Sequence, residues 1–213
     1  MTPPAKSAAL LAAWLSPGYP VGAFAWSHGL ENAVAEGLVT DAATFRDWAE
    51  DCLRHGAGRS DAILMAHAWR DPADEAPADL AAALTPCKER RAETLALGAA
   101  FAATTGATWG PKLAPAAYPV ALGRAARAHG ASLDMLLPMF LHAFAANLAS
   151  AAVRLVPLGQ TEAQAALAAL MHTAHDVAHD AATADLWDVG GAAMRADIHA
   201  MRHETLEPRL FRS

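Results

Sequence analysis

Cysteine is almost missing from this chain. Of its 213 residues only Cys52 and Cys87 carry a thiol, and they form no CxxC pair. That excludes a disulfide framework or a zinc ribbon and suits a reducing cytoplasm. Charge is sparse as well: 18% of residues are charged, and 16 Lys and Arg are outnumbered by 22 Asp and Glu, for a net charge of −6. No basic cluster stands out, so the concentrated Lys/Arg surface that phosphate contacts need is lacking and nucleic-acid binding is disfavoured. Strand alternation, internal repeats and sustained heptads are not found either. The segment RHGAGRS, 54–60, has paired glycines but neither follows a strand nor ends in Gly-Lys-Ser/Thr, so it reads as a helix–helix turn and not as a phosphate loop. With no nucleophile elbow and no HExxH pair, the sequence offers no catalytic residues, and it implies no cofactor.

What the chain has is hydrophobic residues, 54% of the total, enough for a sizeable single core. They fall in helical runs punctuated by cap residues and Gly or Pro stops. Ser27 opens SHGLENAVAE, ended by Gly37. Asp41 precedes ATFRDWAEDCLRH, ended by Gly56, and Ser60 precedes DAILMAHAWR, ended by Asp71-Pro72. A Pro-containing acidic stretch follows from Asp71 to Pro86. Further helices are predicted over 88–105, 120–129, 132–155 and 161–184, the last with capping-box spacing at Thr161 and Gln164. The fold class is therefore all-α, a single-domain compact helical bundle.

Two apolar stretches resemble membrane signals without meeting their requirements. SAALLAAWL near the start is short, follows a single Lys6 and meets a stop at Ser16-Pro17-Gly18, so no targeting segment is expected. Met135 to Val153 carries no charge, but it holds His142, Asn147 and many Ala, which gain little from lipid. It reads as a central core helix, and the expected location is the cytoplasm.

His172, His175 and His179 share one face of a predicted helix, opposite Leu167, Leu170, Ala174, Val177 and Ala181. Pointing away from the core, they suit either a solvated stripe beside Asp176 and Asp180 or a transient nickel or zinc contact. No accompanying set of supporting partners is evident, and no metal ligand is assigned. The isolated His55, His67, His129 and His142 read as ordinary helix or core residues.

The end of the chain is dense in polar groups. Arg202, His203, Glu204, Thr205, Arg209 and Arg212 stand among few large apolar residues, the adjacent Leu210 and Phe211 foremost. So short a segment buries too little to offset its ordering entropy, so 201–213 is expected to be a mobile tail that orders on a partner, following a helical domain over 1–200. Its removal should then leave the stability of the fold nearly unchanged. Arg and aromatic side chains are the types enriched at interface hot spots. The second notable segment is PVGAFAWSHGLE, 20–31, where Phe24 and Trp26 serve either as core plugs or as anchors, and His28 and Glu31 are expected at the surface.

These two segments, MRHETLEPRLFRS and PVGAFAWSHGLE, together with AANLASAAVRLVPLGQT at 145–161, resemble the UreF family of urease accessory proteins and span nearly the whole chain. The resemblance implies a non-catalytic, helical, homodimeric factor in nickel insertion into urease. It would bind UreD (also called UreH), reach apo-urease through it, and recruit the GTPase UreG. It also implies that His28, Glu31 and Arg154 join the tail residues as partner-binding positions, with Glu31 and Arg154 on a surface for the GTPase. Departures are Ala23, where the family usually has Gly, and Leu206, Glu207 and Pro208 in the tail. Two other roles fit the same sequence: a regulator of UreG turnover using Arg154 or Arg202, and a nickel carrier using the His172, His175 and His179 stripe.

Overall fold

A computed structural model describes residues 3–213, and among these the chain forms ten α-helices, two short 3-10 turns and no strand. The helices are α1 (Pro3–Trp14), α2 (Leu30–Ala35), α3 (Ala42–His55), α4 (Ala57–Arg70), α5 (Ala76–Ala83), α6 (Lys88–Thr108), α7 (Tyr118–Ala128), α8 (Leu133–Leu155), α9 (Gln160–Ala181) and α10 (Met194–His203). The all-α bundle expected from periodicity is what forms.

Local chemistry explains most boundaries. At the start of α3 the Asp41 carboxylate accepts the Thr44 N–H at 2.8 Å, while the Thr44 hydroxyl accepts the Asp41 N–H at 3.0 Å, a reciprocal cap. α9 begins one step earlier than its Thr161 suggested: Gly159 is the cap, and Glu162 reaches back to accept its N–H at 2.9 Å. α4 also starts earlier, at Ala57, so Gly58 belongs to a helix and not to a turn. A Cβ there would lie 2.9 Å from the Leu53 Cα, and this close approach of α3 and α4 is what the glycine permits. The acidic stretch 71–86 contains α5, whose Pro77 sits in the first turn where its missing N–H costs nothing.

The core lies where α8, apolar along most of its length, meets α4, α3 and α9, with α7 packed between α4 and α6. Leu136, Leu137 and Leu141 of α8 are fully buried beside Phe45, Ile63 and Leu122. α8 is long and apolar enough to cross a membrane by length and composition, and just over half of that span, 56%, is buried against the other helices. Trp14 of α1 closes one side, edge-on to Phe101 at 5.5 Å between ring centroids.

α10 lies beyond the last predicted helix and packs polar side chains inward. It buries His199, Ala200 and His203 against α2 and α6, and leaves Met194, Ile198 and Met201 exposed. Its buried face is polar because α2 meets it with polar groups: His199 Nδ1 lies 2.7 Å from the Asn32 side-chain oxygen. Gly29, at φ 77°, lets the chain enter α2 directly beneath α10, where a Cβ would lie 2.6 Å from the Ala200 nitrogen.

Candidate functional site

The segment 20–31 and the chain's last residues form one unit. After Gly22 in the left-handed region, a short 3-10 turn at Ala23–Ala25 leads into extended Trp26. His28 and Gly29 then both take positive φ, 56° and 77°, before α2 begins. This path leaves backbone groups of Ala25 and Ser27 unpaired locally, and the tail satisfies them. The Arg212 N–H donates to the Ala25 carbonyl and the Ser27 N–H to the Ser213 carbonyl, each at 2.8 Å. The Ser27 hydroxyl donates to the same Ser213 oxygen.

Glu31 provides the central clamp. Its two carboxylate oxygens accept the successive N–H groups of Leu210 at 2.5 Å and Phe211 at 2.8 Å. The same carboxylate meets His203 Nε2 at 2.9 Å, and His203 Nδ1 meets Glu89 at 2.7 Å. Glu89 also takes Arg209, at 2.5 Å. Phe211, 3% exposed, enters the main core, and the Arg154 guanidinium lies over its ring at 4.3 Å. Arg154 also donates to the Phe24 carbonyl at 3.0 Å, and Arg212 covers Trp26 at 4.8 Å.

The expectation of a mobile tail is thereby corrected. Composition suggested too little apolar area for self-ordering; what orders the segment is charge-assisted bonding of its amides to a buried carboxylate, plus a single deeply placed Phe. His28 and Glu31, expected at the surface, are buried, because the tail lies over them. Of the tail residues, His203 and Phe211 face inward, while Arg202, Thr205, Arg209, Leu210 and Arg212 are exposed. Arg202 pairs with Glu36 at 2.8 Å, and Glu204 accepts the Lys88 N–H at 2.8 Å. The structure thus brings Glu31, His203, Arg154, Arg209, Phe211 and Arg212 together around one dock, and sets Arg202, Glu204 and Thr205 at its edge.

Sequence reasoning missed the floor of this dock. Ser213 Oγ donates to Glu93 at 3.2 Å, and Glu93 is bound by Arg90 one turn away and by His28 at 3.1 Å. Burial alone would push the Glu93 carboxyl up, but Arg90 and His28 outweigh it and hold it at about 2. Burial, with Arg90 second, keeps His28 below its usual range. Its Nε2 faces Arg90 at 3.1 Å and Glu93 at 3.1 Å and serves one of them at a time. The only cue was Arg90-x-x-Glu93, in a KERRAE run that looks like any solvated helix start.

Behind His28 and Arg90 lies a cavity of about 90 Å³, also lined by Cys52, Asp61 and Asp197. Burial, partly offset by Arg90, raises Asp61 to about 7 and Cys52 to about 12, so the thiol is inert. His172, His175 and His179 are exposed on α9 as expected, with His172 Nδ1 3.0 Å from Asp176. Among the described residues no group of three or more His, Cys, Asp or Glu is arranged to hold a metal ion.

The sequence model of the UreF family matches residues 39–171. The chain belongs to the UreF family. It is similar along almost its whole length to the urease accessory protein UreF of Cereibacter sphaeroides, 57% identical over 209 residues that cover 97% of this chain and 100% of that one. The urease accessory protein UreF of Roseobacter denitrificans is 50% identical over 205 residues, 95% of this chain and 92% of the relative. That of Rhodopseudomonas palustris is 46% identical over 232 aligned positions, covering 99% and 98%. For this UreF-family chain the dock is more than a terminus: it turns two segments at opposite ends of the sequence into one surface. Phe24 and Leu210, each 65% exposed, stand on that surface around the Arg154–Phe211 stack.

Proposed function

We propose that this chain acts in urease maturation as a non-catalytic scaffold of the cytoplasm. In this reading it binds UreD (UreH), reaches apo-urease through it, and recruits the GTPase UreG, which delivers nickel as cargo. The supporting observation is the docked tail. It holds Phe24 and Leu210 outward with Arg209 and Arg212 beside them, and pins that arrangement from below through Glu31, His203 and Phe211. Two exposed large apolar side chains flanked by guanidiniums, on a backbone already ordered, make a preorganised protein-binding surface. His28, Glu31 and His203 then serve binding by positioning. Arg154 links both halves, while Arg202, Glu204 and Thr205 form the rim. Self-association into a homodimer completes the reading.

Co-purification with UreD is the test. Wild type should capture UreD, and the pair Phe24→Ala and Leu210→Ala should reduce capture about tenfold or more while leaving helicity and thermal midpoint in place. Equal capture by the double variant would remove the tail surface from the reading. Failure of wild type to capture UreD over a range of salt would remove the scaffold reading itself. Light scattering at micromolar concentration checks the dimer.

A further inference from the structure

The most exposed large hydrophobic side chain of the described residues lies away from the tail. Trp187 is 94% exposed in the short 3-10 turn Leu186–Asp188, between α9 and α10. An indole left in water normally sits on a yielding loop, but this turn is braced from within and from below. The Asp185 carboxylate accepts the Trp187 N–H at 3.2 Å, and Asp188 accepts the Asp185 N–H at 3.0 Å, so each end caps the other. Underneath, α4 and the end of α3 grip the connection along its length. Arg70 donates to the Ala182 carbonyl, His67 to Ala184 at 2.9 Å, Arg59 to Asp188 at 2.7 Å and Ser60 to Gly190 at 3.2 Å. The His55 carbonyl accepts from Ala192 and Ala193 at 2.7 and 2.9 Å.

Holding a water-exposed indole this firmly contributes nothing to the core. It does remove in advance the ordering entropy that an anchor residue loses on binding. Charge then selects the partner. Asp185 and Asp188 bracket the indole and are exposed, and among the described residues their carboxylates bond only to backbone N–H groups of the turn. The guanidiniums of Arg59 and Arg70 are engaged with loop carbonyls. A ring framed by two carboxylates matches an apolar slot edged by Lys or Arg, and repels an acidic surface.

We infer that the Trp187 turn is a second protein-docking point, which inserts its indole into an apolar, basic-rimmed slot on a partner other than the one that takes the tail. The choice of probe rests on the scaffold reading above. With UreD assigned to the tail surface, and a second copy of this chain, at net charge −6, a poor match for a carboxylate-framed ring, UreG is the partner to probe, and recruitment of UreG to the UreD-bound chain is the step this turn serves. Val189 and Gly190 line the same cavity as His28 and Arg90, so the two docking points share one supporting wall.

The experiment uses the full chain co-purified with UreD and titrated with UreG. Trp187→Ala should retain UreD and weaken UreG recruitment about tenfold or more, and Trp187→Phe should recover most of the loss. The Asp185→Asn, Asp188→Asn variant keeps acceptor oxygens for both caps, so its turn persists. It should weaken recruitment at about 0.05 M salt and flatten the loss seen on raising salt to about 0.5 M. Recruitment by Trp187→Ala within twofold of wild type, or loss of UreD instead of UreG, overturns the inference and leaves the tail reading intact. A wild-type chain that captures UreD but not UreG overturns it as well. A wild type that captures neither overturns both.

Discussion

Glu31 and Phe211 are 180 positions apart in the chain and 2.8 Å apart in space, joined by a buried carboxylate that accepts a tail amide. The other oxygen of that carboxylate takes the preceding amide, and His203 adds a third donor. Glu31→Gln keeps the shape but replaces one acceptor with a donor facing a donor. The expected cost is about 2–3 kcal/mol by urea unfolding. Faster hydrogen exchange at the Leu210 and Phe211 amides should accompany it. Unchanged protection there would mean the clamp does not hold the tail in solution.

Neighbouring tail residues should separate stability from binding. Phe211→Ala empties a core position and is expected to cost about 3 kcal/mol or more, whereas Leu210→Ala, 65% exposed, should stay within about 0.5 kcal/mol. Deleting 204–213 removes Phe211 and leaves Glu31 and Glu93 without their tail donors, so the thermal midpoint should fall clearly. An unchanged midpoint would restore the mobile tail that composition suggests.

Arg154→Ala should cost about 1 kcal/mol through loss of the stack on Phe211 and the bond to the Phe24 carbonyl. Arg154→Lys keeps the charge without the planar fork and should recover only part. Full recovery with Lys would assign the effect to charge alone.

The helices were legible where the apolar period and the cap agree, as at Asp41 and along α8, because both signals are local. They were not legible where a helix packs polar groups inward. α10 shows its Met and Ile to solvent and its histidines to Asn32 and Glu31, so its apolar stripe points the wrong way for a burial argument. The tail failed for a related reason. Counting apolar residues missed that a carboxylate far back in the sequence supplies the acceptor for two of its amides. Long-range polar pairing leaves no periodicity to read. The family's spellings singled out 20–31 and 201–213, though not that the two segments bind one another.

The cavity beside the dock gives a prediction in pH. Asp61 is raised from 3.8 to about 7, by burial first and by Glu93 in the same sense, against Arg90. A raised acid keeps its proton in the folded state after the unfolded chain has lost it, so this group makes stability fall as pH rises from about 4 to about 7 and adds no further change above. His28, depressed by burial, acts oppositely: below its ordinary 6.5 the unfolded chain binds a proton that the folded chain refuses, so its contribution falls as pH drops. Glu93, held at about 2, supports the fold above 4.5 and loses that support between 4.5 and 2. The wild-type curve mixes all three, whereas its difference from Asp61→Asn isolates one. That difference should favour the variant increasingly between pH 4 and 7 and plateau beyond, reaching on the order of 1–3 kcal/mol by urea unfolding. A difference independent of pH would mean Asp61 is ionised in the fold and hydrated through the cavity.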